Sequence, residues 1–313
     1  MKFEVTILGS SSSTPIFNRN PSAQLLNVNE KYILIDCGEA TQNQLLHFGL
    51  KANRIDQIFI SHLHGDHYLG LVGLLSSLHL NGRTKPIDIF GPSELKEIMN
   101  IQFKHSQTEL KYPINFRATR SDQSEKIFQN YDVTVESFPL DHRIPCTGFK
   151  FTEKQRLRKI IKDKIEELSI PTEMIQLIKK GYNFTDKNGR VHLSEDLTIA
   201  AEKPKVYAYC SDTVCSWNYL PHIQNADMLY HESTFMHDML SRAEETFHTT
   251  ALQAGEVAAR ANVKKLLIGH FSARYKDLQP LLDEAKTILL RLNWLLKAKL
   301  LKSDLLFFLA TKY

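Results

Sequence analysis

Three histidines and an aspartate fall within six positions in "HLHGDH": His62, His64, Asp66 and His67. Imidazole nitrogens and carboxylate oxygens are the donors that borderline cations such as zinc take up, and side chains two residues apart on an extended or turning segment reach one ion. His62 and His64 have that spacing. Asp66 and His67 follow too closely to complete the same tetrahedron and are better placed for a second ion nearby. Gly65 is expected to keep the sharpest point of the turn free of a Cβ. The apolar run "IFIS" before the cluster reads as a strand, so donor type, spacing and strand-end context agree on a metal site.

A site for two ions needs donors from elsewhere, and three other apolar runs end in them. His142 closes "VTVESFPLDH", Asp212 closes "VYAYCSD" and His270 closes "KKLLIGH". Each alone is an ordinary polar residue at a strand end. Together they supply one further ligand for each ion and a carboxylate able to bridge both. His47, His79, His105, His192, His222 and His237 lack that context and read as hydrogen-bonded core or surface residues. Cys37, Cys146, Cys210 and Cys215 form no CxxC pair, so they read as small apolar thiols rather than as disulfides or zinc ligands. Cys146 and Cys210 are possible neighbours of the metal site.

The elements that would hold these donors alternate. Short apolar bursts from residue 1 to about 60 read as strands, a helix is expected from about Ala40 to Phe48, and another over "LGLVGLLSSLHL". "PIDIFGP" reads as a strand and "SELKEIMNIQFKHS" as a helix opened by a cap at Ser93. Beyond residue 200, "KVYAYCSDT", "ADMLYHEST" and "VKKLLIGHFS" read as strands and "HTTALQAGEVAARAN" as a helix. Alternation with polar strand ends implies a layered α/β fold. The chain has 313 residues, 42% hydrophobic and 24% charged, which is globular rather than disordered composition. The net charge of +4 permits an anionic partner without demonstrating one. "MKFEVTILGSS" enters a strand pattern directly, without the features of a secretory signal, so a cytoplasmic location is expected.

Two stretches differ in character. Residues 152–194 read as a helical, basic insertion protruding from the body: between Glu153 and Lys180, eight Lys or Arg face five acids. The tail, 287–313, carries ten leucines in its last 25 residues, interspersed with basic side chains. It reads as an amphipathic helix that lies on the body, a partner or a membrane surface, too interrupted by charge to span a bilayer; no membrane is expected among the partners. With ordinary codons, the bases for "LNWLLKA" also read "ELAIEG" two bases along, an edge strand and turn. A shifted reading frame is therefore a second account of the tail, which resequencing settles.

HxHxDH with distal strand-end His, Asp and His resembles the metallo-β-lactamase superfamily over almost the whole chain up to about residue 286. That resemblance implies an α/β fold, a four-layer αββα sandwich with metals at one sheet edge, here as a single domain over 1–313 bearing the basic arm. Narrower features are similar to the ribonuclease Z family: Pro15, Arg19 and Asn20 in "ILGSSSSTPIFNRNPSA", then "HESTF" from His231, "FHTTALQAGEVA" from Phe247 and "IGHFSARY". The family resemblance implies a zinc-dependent endoribonuclease that removes the 3′ trailer of precursor tRNA, with two Zn2+ per subunit, or other divalent ions such as Mn2+. Asp66 is read as orienting or deprotonating the attacking water and His248, oriented by Glu232, as protonating the leaving oxygen, a pair the family resemblance supports; the alternative is that His248 merely caps the helix it precedes, although Thr249 and Thr250 are better caps. Arg19 and Asn20 would lie near the cleavage site. Lys154, Arg156, Arg158 and Lys159, with Lys162 and Lys164, would grip the tRNA body from the arm, and a homodimer would let one subunit's arm serve the other's site. A related hydrolase of small esters, phosphodiesterase or arylsulfatase-like, is the competing reading. The closing strand of the family is where the sequence departs from the pattern.

Overall fold

The computed structural model describes residues 2–16, 19–297 and 308–309. The chain forms two compact units, one running up to Thr152 and resuming at Val206, the other Glu153–Lys205.

Two sheets build the larger unit. The first places β1 (Phe3–Gly9), β2 (Ala23–Val28), β3 (Lys31–Cys37), β4 (Ile55–Phe59), β5 (Ile87–Gly91) and β6 (Ile114–Ala118) in sequence order. β1 to β3 pair antiparallel and β3 to β6 parallel. In the second sheet lie β7 (Glu125–Gln129), β8 (Val133–Leu140) and β9 (Cys146–Glu153). Between β9 and the rest of that sheet come the short strands of the smaller unit, β10 (Lys159–Ile160), β11 (Phe184–Thr185), β12 (Val191–His192) and β13 (Thr198–Ile199). The second sheet then continues with β14 (Val206–Cys210), β15 (Met228–Glu232), β16 (Leu266–Gly269) and β17 (Phe308–Leu309), in the order β17-β16-β15-β14-β9-β8-β7.

Successive side chains of a strand point to opposite faces, and the cores follow that period of two. Ile33, Ile35, Phe59 and Phe90 of the first sheet meet Phe149, Phe151, Tyr207, Tyr209 and Tyr230 of the second in one buried cluster. Their neighbours Leu34, Ile58 and Ile89 face the other way, onto Leu71, Leu74, Leu78 and Leu95 of covering helices. Ala208, Cys210, Leu229 and Ile268 likewise face Ala254, Val257, Ala258 and Leu281. Helix, sheet, sheet and helix therefore stack as four layers, as the sequence resemblance implied. Phe59 stacks on Phe90 with centroids 4.6 Å apart, and truncating such a fully buried ring to alanine costs roughly 3–5 kcal/mol.

Helix ends follow local chemistry, with one departure. Thr250 closes a capping box with Gln253 at the start of the helix Ala251–Arg260. Ser93 does not cap the helix Leu95–His105: the N-cap residue is Glu94, and the Ser93 hydroxyl donates to the Glu94 carboxylate instead. The histidine cluster does not stay a bend either, since Gly65–Tyr68 forms one helical turn before the helix Leu71–Leu80.

The smaller unit is mixed rather than helical. It holds the helices Lys162–Glu167, Thr172–Lys179 and Ser194–Leu197, two two-stranded ladders, β10 with β13 and β11 with β12, and a small core of Ile170, Ile178, Phe184 and Leu197. It runs past the expected limit at 194 because Leu197 enters that core and Thr198–Ile199 pairs with Lys159–Ile160. Of the tail, residues 287–297 continue the helix Gln279–Lys297 and 308–309 pair in parallel with β16. The remaining tail positions lie outside the described residues.

Candidate metal centre

One edge of the two sheets gathers the donors. His62 and His64 follow β4, His142 follows β8, Asp212 follows β14, and His270 follows β16. Asp66 and His67 ride the turn Gly65–Tyr68, which is seated on the end of β3 by a close approach between two glycines. The Gly70 N–H donates to the Cys37 carbonyl at 2.9 Å, and a Cβ on Gly70 would stand 2.1 Å from the Gly38 carbonyl oxygen. Gly65 is less constrained than its place in the motif suggests, because a Cβ there meets only the flexible tip of Leu69.

Three overlapping groups of ligand atoms result, the third joining Asp212, His248 and His270. His62 Nε2 and His142 Nε2 each lie 3.1 Å from His64 Nδ1, and Asp212 Oδ2 lies 3.5 Å from His62 Nε2. In the second group, His270 Nε2 stands 3.2 Å from Asp66 Oδ2 and 3.4 Å from His67 Nε2. Asp212 spans these two, since its Oδ1 lies 3.2 Å from His270 Nε2 and 3.4 Å from His67 Nε2. All seven expected donors are thus brought together, whereas His47, His79, His105, His192, His222 and His237 lie outside these groups.

The donor set fits a divalent cation. Asp212 Oδ1 is buried and accepts no hydrogen bond among the described residues, with imidazole nitrogens facing it on two sides. Burial holds the pKa values of His62, His64 and His142 below the ordinary histidine range, which favours the neutral, ligating imidazole. Burial works against charge on His67 too, but Asp212, Asp66 and Asp36 overcome it and push that pKa well up. Three carboxylates around one imidazole call for positive charge, of which a divalent cation supplies more than a proton does. Asp66 and Asp212 are held well below the usual carboxylate range: burial opposes their ionisation, and the facing histidines outweigh it.

A further ring of contacts fixes the tautomers, and the sequence reading missed most of it. Asp36 is fully buried at the end of β3 with φ +53°, and its carboxylate accepts from His67 Nδ1 (2.7 Å), Tyr209 Oη (2.6 Å), and Ser61 N–H and Oγ (2.7 and 2.9 Å). Thr234 Oγ1 meets His270 Nδ1 at 2.9 Å, and His142 Nδ1 donates to the Phe247 carbonyl at 2.9 Å. Each ring thereby presents Nε2 to the centre. Cys146 Sγ lies 3.7 Å from His62 Nδ1, a neighbour as expected, and burial raises its thiol pKa; Cys210 packs in the same buried cluster as Cys146. The only sequence signal for Asp36 was an acid ending an apolar strand before Gly38.

His248 and Glu232 stand beside the centre. His248 Nδ1 donates to Glu232 Oε1 at 2.9 Å, and Glu232 is held in place by the Thr213 and Thr234 N–H groups. Burial opposes a charge on His248, yet Glu232 outweighs it and pushes the pKa up to about 9. The cavity in front is about 370 Å³, lined by Ser13, Glu39, His64, Asp66, His142, Arg143, Asp212 and His248 among others. The Ser13 N–H donates to Asp66 Oδ2 at 2.7 Å.

Arg19 does not face this cavity. It is buried, with Nη2 donating to the carbonyls of Ser272 and Tyr275 at 3.3 and 2.8 Å, because a loop closing over β16 needs a donor to satisfy those carbonyls. Asn20 contributes its carbonyl to the Ser10 and Ser11 N–H groups. In the smaller unit, Lys159 is exposed, Lys154 and Arg156 are half-buried, and Arg158 Nε donates to Thr198 Oγ1.

This fold, with its His and Asp donors at one edge, defines a metallo-hydrolase of the metallo-β-lactamase fold. A family model described as anti-Pycsar protein Apyc1 matches residues 3–277, so the chain falls within the group that model describes. Individual relatives place it more finely. A ribonuclease Z of Cytophaga hutchinsonii is 49% identical over 290 residues, covering 92% of each chain, and one of Phocaeicola vulgatus is 44% identical over 291, covering 92% of this chain and 93% of its own. The short form of human tRNase Z superposes with a TM-score of 0.65 at 30% identity, over 87% of this chain and 94% of that one. The metallo-β-lactamase fold protein YhfI of Bacillus subtilis, at 20% identity and a TM-score of 0.63 over 91% of this chain and 92% of its own, shares the fold. Where the names differ, identity sustained over nine-tenths of both chains is the finer measure: the chain belongs to the ribonuclease Z family.

Proposed function

We propose that this protein removes the 3′ trailer of precursor tRNA by hydrolysing one phosphodiester, leaving a tRNA 3′-hydroxyl and a 5′-phosphorylated trailer. The observation that carries the chemistry is the meeting of two ligand groups at Asp212, with His248 on the same cavity. His62, His64, His142 and Asp212 would hold one ion, and Asp66, His67, His270 and Asp212 the other. Two divalent cations, zinc or alternatively manganese, would supply Lewis acidity toward the phosphate and its attacking water. Asp66, steadied by the Ser13 N–H, orients that water. His248, whose pKa Glu232 pushes up to about 9, would give its proton to the leaving 3′-oxygen, while Glu232 keeps the ring aimed.

The RNA reading of the smaller unit rests on its basic side chains. Lys154, Arg156, Arg158, Lys159, Lys162 and Lys164 would neutralise phosphates of the tRNA body with little sequence preference. Arg19 and Asn20 would act by holding the loop beside the cavity in shape. A homodimer, and a cytoplasmic place of work, complete the proposal. Among the described residues no helix is long and apolar enough to cross a membrane.

The test is to incubate the zinc-loaded protein with a 3′-extended precursor tRNA and map both product ends. Cleavage at the discriminator nucleotide with the ends named above supports the reading, and an uncut RNA overturns it. Replacing the smaller unit by a short linker separates it from a small-ester hydrolase: the tRNA enzyme loses RNA cleavage and keeps turnover of a chromogenic diester.

A further inference from the structure

Arg143 is the one Lys or Arg among the residues that line the cavity, and among the described residues it makes no ion pair with a carboxylate. It contacts an imidazole instead: Arg143 Nη2 lies 3.4 Å from His64 Nε2. His64 turns its other nitrogen, Nδ1, inward to His62 and His142. A neutral imidazole carries a single N–H. Once Nδ1 gives its lone pair to a cation, the hydrogen must sit on Nε2, and a guanidinium has only donors. The contact at 3.4 Å then joins two donors, which no hydrogen bond satisfies. Both then carry hydrogens that only an acceptor can satisfy.

From this geometry we infer that Arg143 and the Nε2–H of His64 together form a seat for a nonbridging oxygen of the scissile phosphate. The inference rests on the ligand role proposed for His64 and on a phosphodiester substrate. Without a cation His64 Nε2 accepts from Arg143, so the guanidinium is parked; with a cation it is released toward the cavity. A planar, permanently charged guanidinium suits a phosphate oxygen, and none of the acids on the cavity wall, Glu39, Asp66 and Asp212, forms an ion pair with it among the described residues. As negative charge builds on the phosphoryl oxygens during attack, a donor already aimed at them stabilises that state without reorganising.

The experiment compares wild type, Arg143→Ala and Arg143→Lys, each loaded with zinc. Inorganic phosphate affinity is measured by titration calorimetry, turnover with bis(p-nitrophenyl) phosphate, and bound zinc by elemental analysis. Arg143→Ala is expected to weaken phosphate binding and kcat/KM by about 10- to 100-fold, the range of a hydrogen bond to a charged group, with unchanged zinc content and melting temperature. Arg143→Lys should recover part of both losses, and in zinc-free protein phosphate affinity should be insensitive to all three. Wild-type phosphate affinity in Arg143→Ala, or a fall in its zinc content that accounts for the loss, overturns the inference. Turnover of the small diester with no cleavage of precursor tRNA by wild type would sink the tRNA reading and leave the phosphate seat standing.

Discussion

The sheet edge and the smaller unit both carry charge, but they hold it in opposite ways. At the edge, Asp36, Asp212, Glu232 and His67 are buried, and almost every polar atom is matched to a partner that fixes its direction. In the smaller unit the basic side chains are exposed or half-buried, and a pair such as Lys164–Glu167, 38% and 57% exposed, is worth little in water. A buried network specifies position to a fraction of an ångström. Exposed charge specifies only the sign of a partner. The difference teaches that bond breaking and substrate holding can be altered separately.

The largest effect should come from the atom pair both ligand groups share. Asp212→Ala is expected to abolish cleavage and release bound metal, read by elemental analysis alongside kcat; retention of two ions would break the assignment of a bridge. His248→Asn comes next, lowering the rate by about 10²–10⁴-fold, the usual contribution of a positioned acid, with metal content intact. The pH profile sharpens that result. A group that acts as an acid works below its own pKa, so the rate should fall as pH rises through about 9, and His248→Asn should lack that limb.

Asp36→Asn should cost about 10- to 100-fold in activity or metal affinity, since it loosens His67 without removing a ligand. A variant as active as wild type would show that Tyr209 and Ser61 suffice to hold the turn. Smallest of all, Lys159→Ala should weaken tRNA binding evenly across substrates and reduce the slope of log affinity against log salt by about 0.7–0.9, with kcat on a small diester unchanged. A change in that kcat would undo the division of labour between the two regions.

The parts legible in the sequence were those whose signal is local. HxHxDH after "IFIS" and the three strand-end donors needed only periodicity and residue type, and so did a layered α/β fold; the four-layer order came from the family resemblance. Asp36 was not legible because its partners, Ser61, His67 and Tyr209, are brought to it by three other elements. Arg143 stood beside His142 in "DHRIP", yet its meaning depends on which nitrogen His64 turns inward. Ser93 looked like a cap by type, while the helix begins at Leu95 behind Glu94. The limit at 194 fell short because the ladder of Lys159–Ile160 with Thr198–Ile199 is a long-range pairing with no repeat or turn signal to announce it.

The position of the insertion has a consequence for how the molecule acquires its fold. β9 and β14 are neighbours in the second sheet, with Thr152 opposite Val206, although residues 153–205 separate them along the chain. Closing so long a loop is entropically costly when the loop is unstructured, and non-local pairing of this kind slows folding. A segment with its own small core shortens the search, because once it condenses, its ends emerge side by side and the two strands meet as though joined by a turn. The same geometry lets the insertion grow, shrink or disappear over evolutionary time without disturbing the register of the sheet that carries Asp212.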